Sequence, residues 1–82
     1  MPFYFYIIHS IKLDQYYLGH TQDLQNRIYR HANSGSKSTK KSKDWKIVYF
    51  EEFQSRSEAV RRERQVKHKK SKKYIKWLIT PG

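Results

Sequence analysis

The run Phe3-Tyr4-Phe5-Tyr6-Ile7-Ile8 constrains this chain more than any other feature. Apolar or aromatic at every position and rich in strand formers, it reads as a buried strand. Alternation places Tyr4, Tyr6 and Ile8 on one face and Phe3, Phe5 and Ile7 on the other. The short connection from Ser10 to Gln15 leads into Tyr16-Tyr17-Leu18-Gly19, a second strand. So short a link favours an antiparallel hairpin, in which Tyr17 and Gly19 share a face. With 82 residues the chain forms one domain over 1–82. A chain of that size buries only about 60% of its extended surface, so its aromatic rings matter for stability. The expected core is Phe3, Phe5, Trp45, Phe50 and several tyrosines.

The remaining elements follow from capping residues and apolar spacing. Thr21 is the expected N-cap of a first helix, with Asp23 in its first turn and Leu24, Ile28 and Ala32 or His31 on its inner stripe. The helix should end before Asn33-Ser34-Gly35, and the basic, small-residue stretch Ser34 to Lys43 reads as a loop. Trp45 to Phe50 is a third strand, with Trp45, Ile47 and Tyr49 alternating against Lys46, Val48 and Phe50. Ser55-Arg56-Ser57-Glu58 fits a capping box before a second helix carrying Ala59, Val60 and Val66 to about Lys70. Tyr74, Ile75, Trp77, Leu78 and Ile79 suit a short third helix that Pro81-Gly82 ends. The order β-β-α-β-α-α describes an α+β domain, a small antiparallel three-stranded sheet flanked by helices.

Charge narrows the partners. Eighteen Lys and Arg against seven Asp and Glu give a net charge of +11. So basic a small body attracts polyanions, nucleic acid first and anionic membrane a distant second. Without cysteine, neither a disulfide framework nor a thiolate metal site is possible, and four histidines alone make a zinc site improbable. The N-terminus lacks the pattern of a signal peptide and no apolar run approaches a membrane span, so the expectation is a soluble, cytoplasmic protein.

Three features stand out as chemistry. Glu63 shares one helix face with Ala59 and Val66, where a carboxylate is costly unless paired or bound to metal. Arg27 and His31 lie four apart on the first helix and side by side, a guanidinium suited to phosphate next to an imidazole that titrates near neutrality. Tyr6 and Tyr17 sit on definite faces of a hairpin that can bring them close. A neighbouring cation would lower a phenol's ordinary pKa of about 10 and make it a usable base. Taken singly, each has a plain structural reading as an ion pair, a solvated helix edge or a core aromatic.

Together the segments Phe3-Tyr4-Phe5-Tyr6-Ile7-Ile8, Tyr16-Tyr17-Leu18-Gly19-His20-Thr21, Arg27-Ile28-Tyr29-Arg30-His31 and Ser55 to Lys67 resemble the GIY-YIG endonuclease family. The resemblance spans essentially the whole chain and is closest to small stand-alone bacterial members. It implies a metal-dependent DNA endonuclease with Tyr6 as general base, Tyr17 near the scissile phosphate, and Arg27 stabilising the pentavalent phosphate. It further implies that His31 assists the tyrosine or the leaving group, that Glu63 anchors one divalent metal, Mg²⁺ or Mn²⁺, and that Gly19 lets the backbone turn beside the site. Tyr4 and Phe5 stand where the first motif has glycine and isoleucine, and Leu18 replaces a second isoleucine. Ser71 to Gly82 lacks the asparagine common near the family's final helix.

Nucleic acid would be held by two basic blocks, Lys37, Lys40, Lys41 and Lys43, then Arg61, Arg62, Arg64, Lys67, Lys69, Lys70, Lys72 and Lys73. Such contacts hold phosphates and carry no base information. DNA is the expected partner, in weakly sequence-specific binding. RNA binding and a non-catalytic DNA- or RNA-binding module on the same fold stay open as alternatives, as does the oligomeric state.

Overall fold

The computed structural model describes residues 2–26, 44–69 and 71–80. Strands β1 (Phe3–Ser10), β2 (Gln15–Thr21) and β3 (Lys46–Phe53) form one antiparallel sheet in the order β2-β1-β3. The most apolar strand takes the centre, and its Phe5, Ile7 and Ile8 are fully buried. Helices α1 (Arg56–Lys69) and α2 (Lys72–Ile79) follow the sheet. The predicted α+β architecture and its antiparallel hairpin are present.

The sheet separates two apolar clusters. On one face, Phe5, Ile7 and Leu18 pack with Val66 of α1 and with Tyr74, Ile75, Leu78 and Ile79 of α2. On the other, Tyr6, Ile8 and Trp45 pack with Leu13, Tyr17, Leu24 and Ile47. The strict alternation expected of the third strand does not hold. Ile7 pairs with Tyr49 but Ile8 pairs with Ile47, so Val48 is an extra residue in a β-bulge. Val48 and Tyr49 therefore join one cluster while Ile47 joins the other. The bulge also corrects the expected core, because Phe50 is 54% exposed, touching Tyr4 edge to face at 6.0 Å. Phe3 is only partly buried, with the Arg56 guanidinium over its ring at 5.7 Å.

Polar side chains finish the elements. Ser55 and Glu58 form the capping box, Ser55 Oγ accepting from the Glu58 amide at 3.3 Å and Glu58 Oε2 from the Ser55 amide at 3.2 Å. Ser71 caps α2 by accepting from the Tyr74 amide at 3.1 Å. Residues 24–26 are helical, and their cap is Asp23, whose Oδ1 accepts from the Asn26 amide at 3.1 Å. Thr21, the expected cap, instead closes a tight turn by accepting from the Asp23 amide at 3.1 Å. The remainder of that predicted helix and the basic loop after it lie outside the described residues.

The hairpin turn is anchored from a distance. Asp44 accepts from Ser10 Oγ at 2.6 Å and from the Lys12 amide at 2.9 Å. Asp14 takes a positive φ of 49°, a conformation that Asp tolerates. Lys72 at the start of α2 donates to the Asp14 carboxylate at 2.8 Å and to its backbone carbonyl at 3.0 Å.

Candidate functional site

Pairing of β1 with β2 sets Tyr6 opposite Gly19 and Ile8 opposite Tyr17. Tyr6 and Tyr17 are thus diagonal neighbours on one face, the arrangement the hairpin suggested. Gly19 lies inside β2, so its role is not the turn expected of it. A Cβ built on Gly19 would fall 2.5 Å from the Tyr6 hydroxyl oxygen and 2.7 Å from Cζ. Glycine is there because the Tyr6 ring, only 3% exposed, lies directly against the backbone.

The intervening residues of β2 face the helices. Leu18 enters the α1-side cluster, and alternation puts His20 on the same side. There it meets Glu63. The Ala59–Glu63–Val66 face of α1 is turned inward, with Ala59 and Val66 buried, and the Glu63 side chain is 15% exposed. His20 Nδ1 lies 2.7 Å from Glu63 Oε1, and Lys67 Nζ donates to Glu63 Oε2 at 2.7 Å. An ionised carboxylate only accepts, so Nδ1 of His20 carries the proton in this bond. Burial pushes the Glu63 carboxyl up, but the bonds and charges of Lys67 and His20 outweigh it and hold the group below its ordinary value.

Tyr6, Tyr17, Leu18, Gly19, His20 and Glu63 line one cavity of about 210 Å³. Residues from both faces of β2 can line a single space because β2 is an edge strand. The structure thus brings together Tyr6, Tyr17 and Glu63, which sequence reading singled out separately. It adds His20, to which no role was assigned. Its only sequence signal was alternation with Leu18, and that could not reveal the carboxylate across from it. Arg27 and His31 lie outside the described residues, as do Lys37, Lys40, Lys41, Lys43 and Lys70.

The other basic positions divide by what they touch. Arg62 is not an open phosphate contact: its side chain reaches Glu51 at 3.1 Å and Gln65 at 3.0 Å. Tyr49 also donates to Glu51, and the Arg62–Glu51 pair ties β3 to α1; Glu51 raises the Arg62 guanidinium above its ordinary value despite the opposing effect of burial. Lys67 bonds Glu63, Lys72 bonds Asp14, and Lys69 stands over the Tyr74 ring at 5.5 Å. Arg61, Arg64 and Lys73 are exposed. Arg61 and Arg64 share a groove of about 570 Å³ with Arg56, Ser57 and Val60 at the start of α1.

Comparison with known proteins places this arrangement. A family model described as the GIY-YIG catalytic domain matches residues 2–75. A UPF0213 protein of Staphylococcus saprophyticus is 38% identical over 80 residues, covering 96% of this chain and 95% of the relative. Another from Pediococcus pentosaceus is 35% identical over 81 residues, covering 98% and 84%. The solution NMR structure of the UPF0213 protein BH0048 from Bacillus halodurans superposes with a TM-score of 0.59 at 34% identity, covering 96% of this chain and 83% of that one. With both motif tyrosines and the helix carboxylate converging on one cavity and the match spanning most of the sequence, the chain belongs to the GIY-YIG nuclease family.

Proposed function

We propose that this protein is a metal-dependent DNA endonuclease that hydrolyses phosphodiester bonds at the outer edge of β2. The observation that carries the reading is the cavity shared by Tyr6, Tyr17 and Glu63. Phenols and a carboxylate that line one small space at the sheet edge suit proton transfer beside a bound cation. Glu63 supplies a hard oxygen donor of the kind Mg²⁺ or Mn²⁺ takes, with water and substrate phosphate completing the shell. Among the described residues no cluster of three or more His, Asp or Glu forms, so the fit is to a single-carboxylate site. Lys67, 53% exposed on the Glu63 pair, can withdraw to open Oε2, while His20 keeps the carboxylate oriented through Oε1. When bound, the cation would polarise the phosphate and support the leaving oxygen.

The chain's own residues divide the remaining work. Tyr6 or Tyr17, in the phenolate form that a bound cation and Arg27 would favour, accepts the proton of the attacking water at its phenolic oxygen and becomes the neutral phenol. Arg27 stabilises the charge that develops on the phosphorus oxygens, and His31 assists the tyrosine or the leaving group. Exposed Arg61, Arg64 and Lys73 hold backbone phosphates without reading bases.

A second reading, a binding module that does not cut, is favoured by the Glu63 contacts. His20 and Lys67 each hold one oxygen of the carboxylate, so a metal ion has to compete with Lys67 for it. Incubation of plasmid, forked and nicked DNA with Mg²⁺ or Mn²⁺, beside Glu63→Ala, separates the two. Cutting that needs the cation and disappears in Glu63→Ala supports the nuclease. Absence of cutting by the wild type, with DNA binding equal in both proteins, supports the binding module.

A further inference from the structure

Trp77 is 69% exposed, although tryptophan is among the costliest residues to leave in water. Its helix does not lack a core: Tyr74, Ile75, Leu78 and Ile79 of α2 already pack on the sheet. Trp77 therefore stands on the outward side by position and not by failure to pack. Its ring lies 5.7 Å from that of Tyr74 in a tilted arrangement, at an interplanar angle of 31°. The Lys69 ammonium stands over the Tyr74 ring at 5.5 Å. Exposed Lys73, one helical turn before Trp77, and Lys76 beside it complete a small aromatic surface set among cations.

We propose that Trp77, backed by Tyr74, forms a stacking surface for unpaired bases of a nucleic-acid strand whose phosphates are held by Lys69, Lys73 and Lys76. This inference rests on the nucleic-acid reading of the preceding section and adds the form of strand that is bound. An exposed indole face stacks only on a base whose own face is open, and bases inside a duplex are covered by their neighbours. The surrounding ammonium groups match a phosphate backbone. They oppose a second copy of this chain, which would bring the same lysines and a further +11 of charge against them.

Trp77 also provides the readout, because the other tryptophan, Trp45, is only 5% exposed. A short single-stranded DNA and its blunt duplex would be titrated against the whole protein in EDTA, so that nothing is cut, following tryptophan emission and affinity together. The single strand should quench emission, and the quench should vanish in Trp77→Phe, which leaves only Trp45. Trp77→Ala should weaken single-strand binding about tenfold. Trp77→Phe, keeping a ring, should retain most of the affinity, and duplex binding should be unchanged in both. Equal loss for single strand and duplex, or emission unmoved at saturating single strand, would overturn the stacking surface. So would quenching by anionic phospholipid vesicles with none by DNA, which would make the patch a membrane contact. If neither DNA form binds at all, the nucleic-acid reading falls with it.

Discussion

Glu63 sits between Ala59 and Val66 on the inward face of α1, and what keeps it ionised there is local. Burial opposes the charge, while Lys67 and His20 favour it more strongly. Because the folded value is depressed, the stabilisation it contributes is fully present above the unfolded carboxylate pKa, about 4.3. It is lost as pH falls through the folded value. Asp14, lowered mainly by its bond from Lys72 and then by that from His9, acts in the same direction. Urea midpoints should therefore hold level from neutrality to about pH 5 and fall below it, with a shallower acid slope in Glu63→Gln. Gly19→Ala tests the other close contact. Its Cβ would meet a Tyr6 ring that is too buried to swing away. A loss of about 1–3 kcal/mol in a denaturant titration is expected, with cutting impaired as the phenol is displaced. Tyr17→Phe keeps the ring and removes the hydroxyl, so it should leave the fold intact and slow cleavage by about 10²- to 10⁴-fold if that oxygen moves a proton.

The elements differ in how they are closed. The capping box at Ser55 and Glu58 satisfies donors at the start of the helix that carries Glu63. Ser55→Ala should cost about 1 kcal/mol and lower the melting temperature by about 4–8 °C in calorimetry, with no direct effect at the site. This box was legible because both partners lie within four consecutive residues. The cap falls on Asp23 and not on Thr21, and the sequence does not choose between them because two capping residue types stand two positions apart with similar propensity. The bulge at Val48 was not legible either. A run of apolar residues alternates equally well in either phase, and only pairing against Ile7 and Ile8 shows where the extra residue enters. That single residue explains why Phe50 surfaces while Tyr49 reaches the α1 side.

For the whole molecule, the net charge of +11 sets an expectation independent of any single contact. Duplex affinity should fall steeply with salt, about a hundredfold between 50 and 200 mM if about four phosphates are neutralised. A filter-binding series that stayed level would defeat this electrostatic account. The charge is not uniformly available, however. Arg62, Lys67 and Lys72 are engaged with Glu51, Glu63 and Asp14. Arg61→Ala and Arg64→Ala should accordingly flatten the salt dependence more than substitution of Lys72, which should instead loosen the hairpin from α2.

The central strand, the hairpin, the boxed helix and the family are written in the linear chain, because apolar density, link length, cap spacing and motif order are local or linear properties. The chain also marks Tyr6, Tyr17 and Glu63 as unusual, each for a reason visible within its own element. That they share a cavity, that Gly19 makes room for Tyr6, and that His20 meets Glu63 across 43 positions of chain are consequences of the assembled fold. Those outcomes depend on β2 taking the sheet edge and α1 crossing one face, and no periodicity in the chain encodes which residues of separate elements will touch.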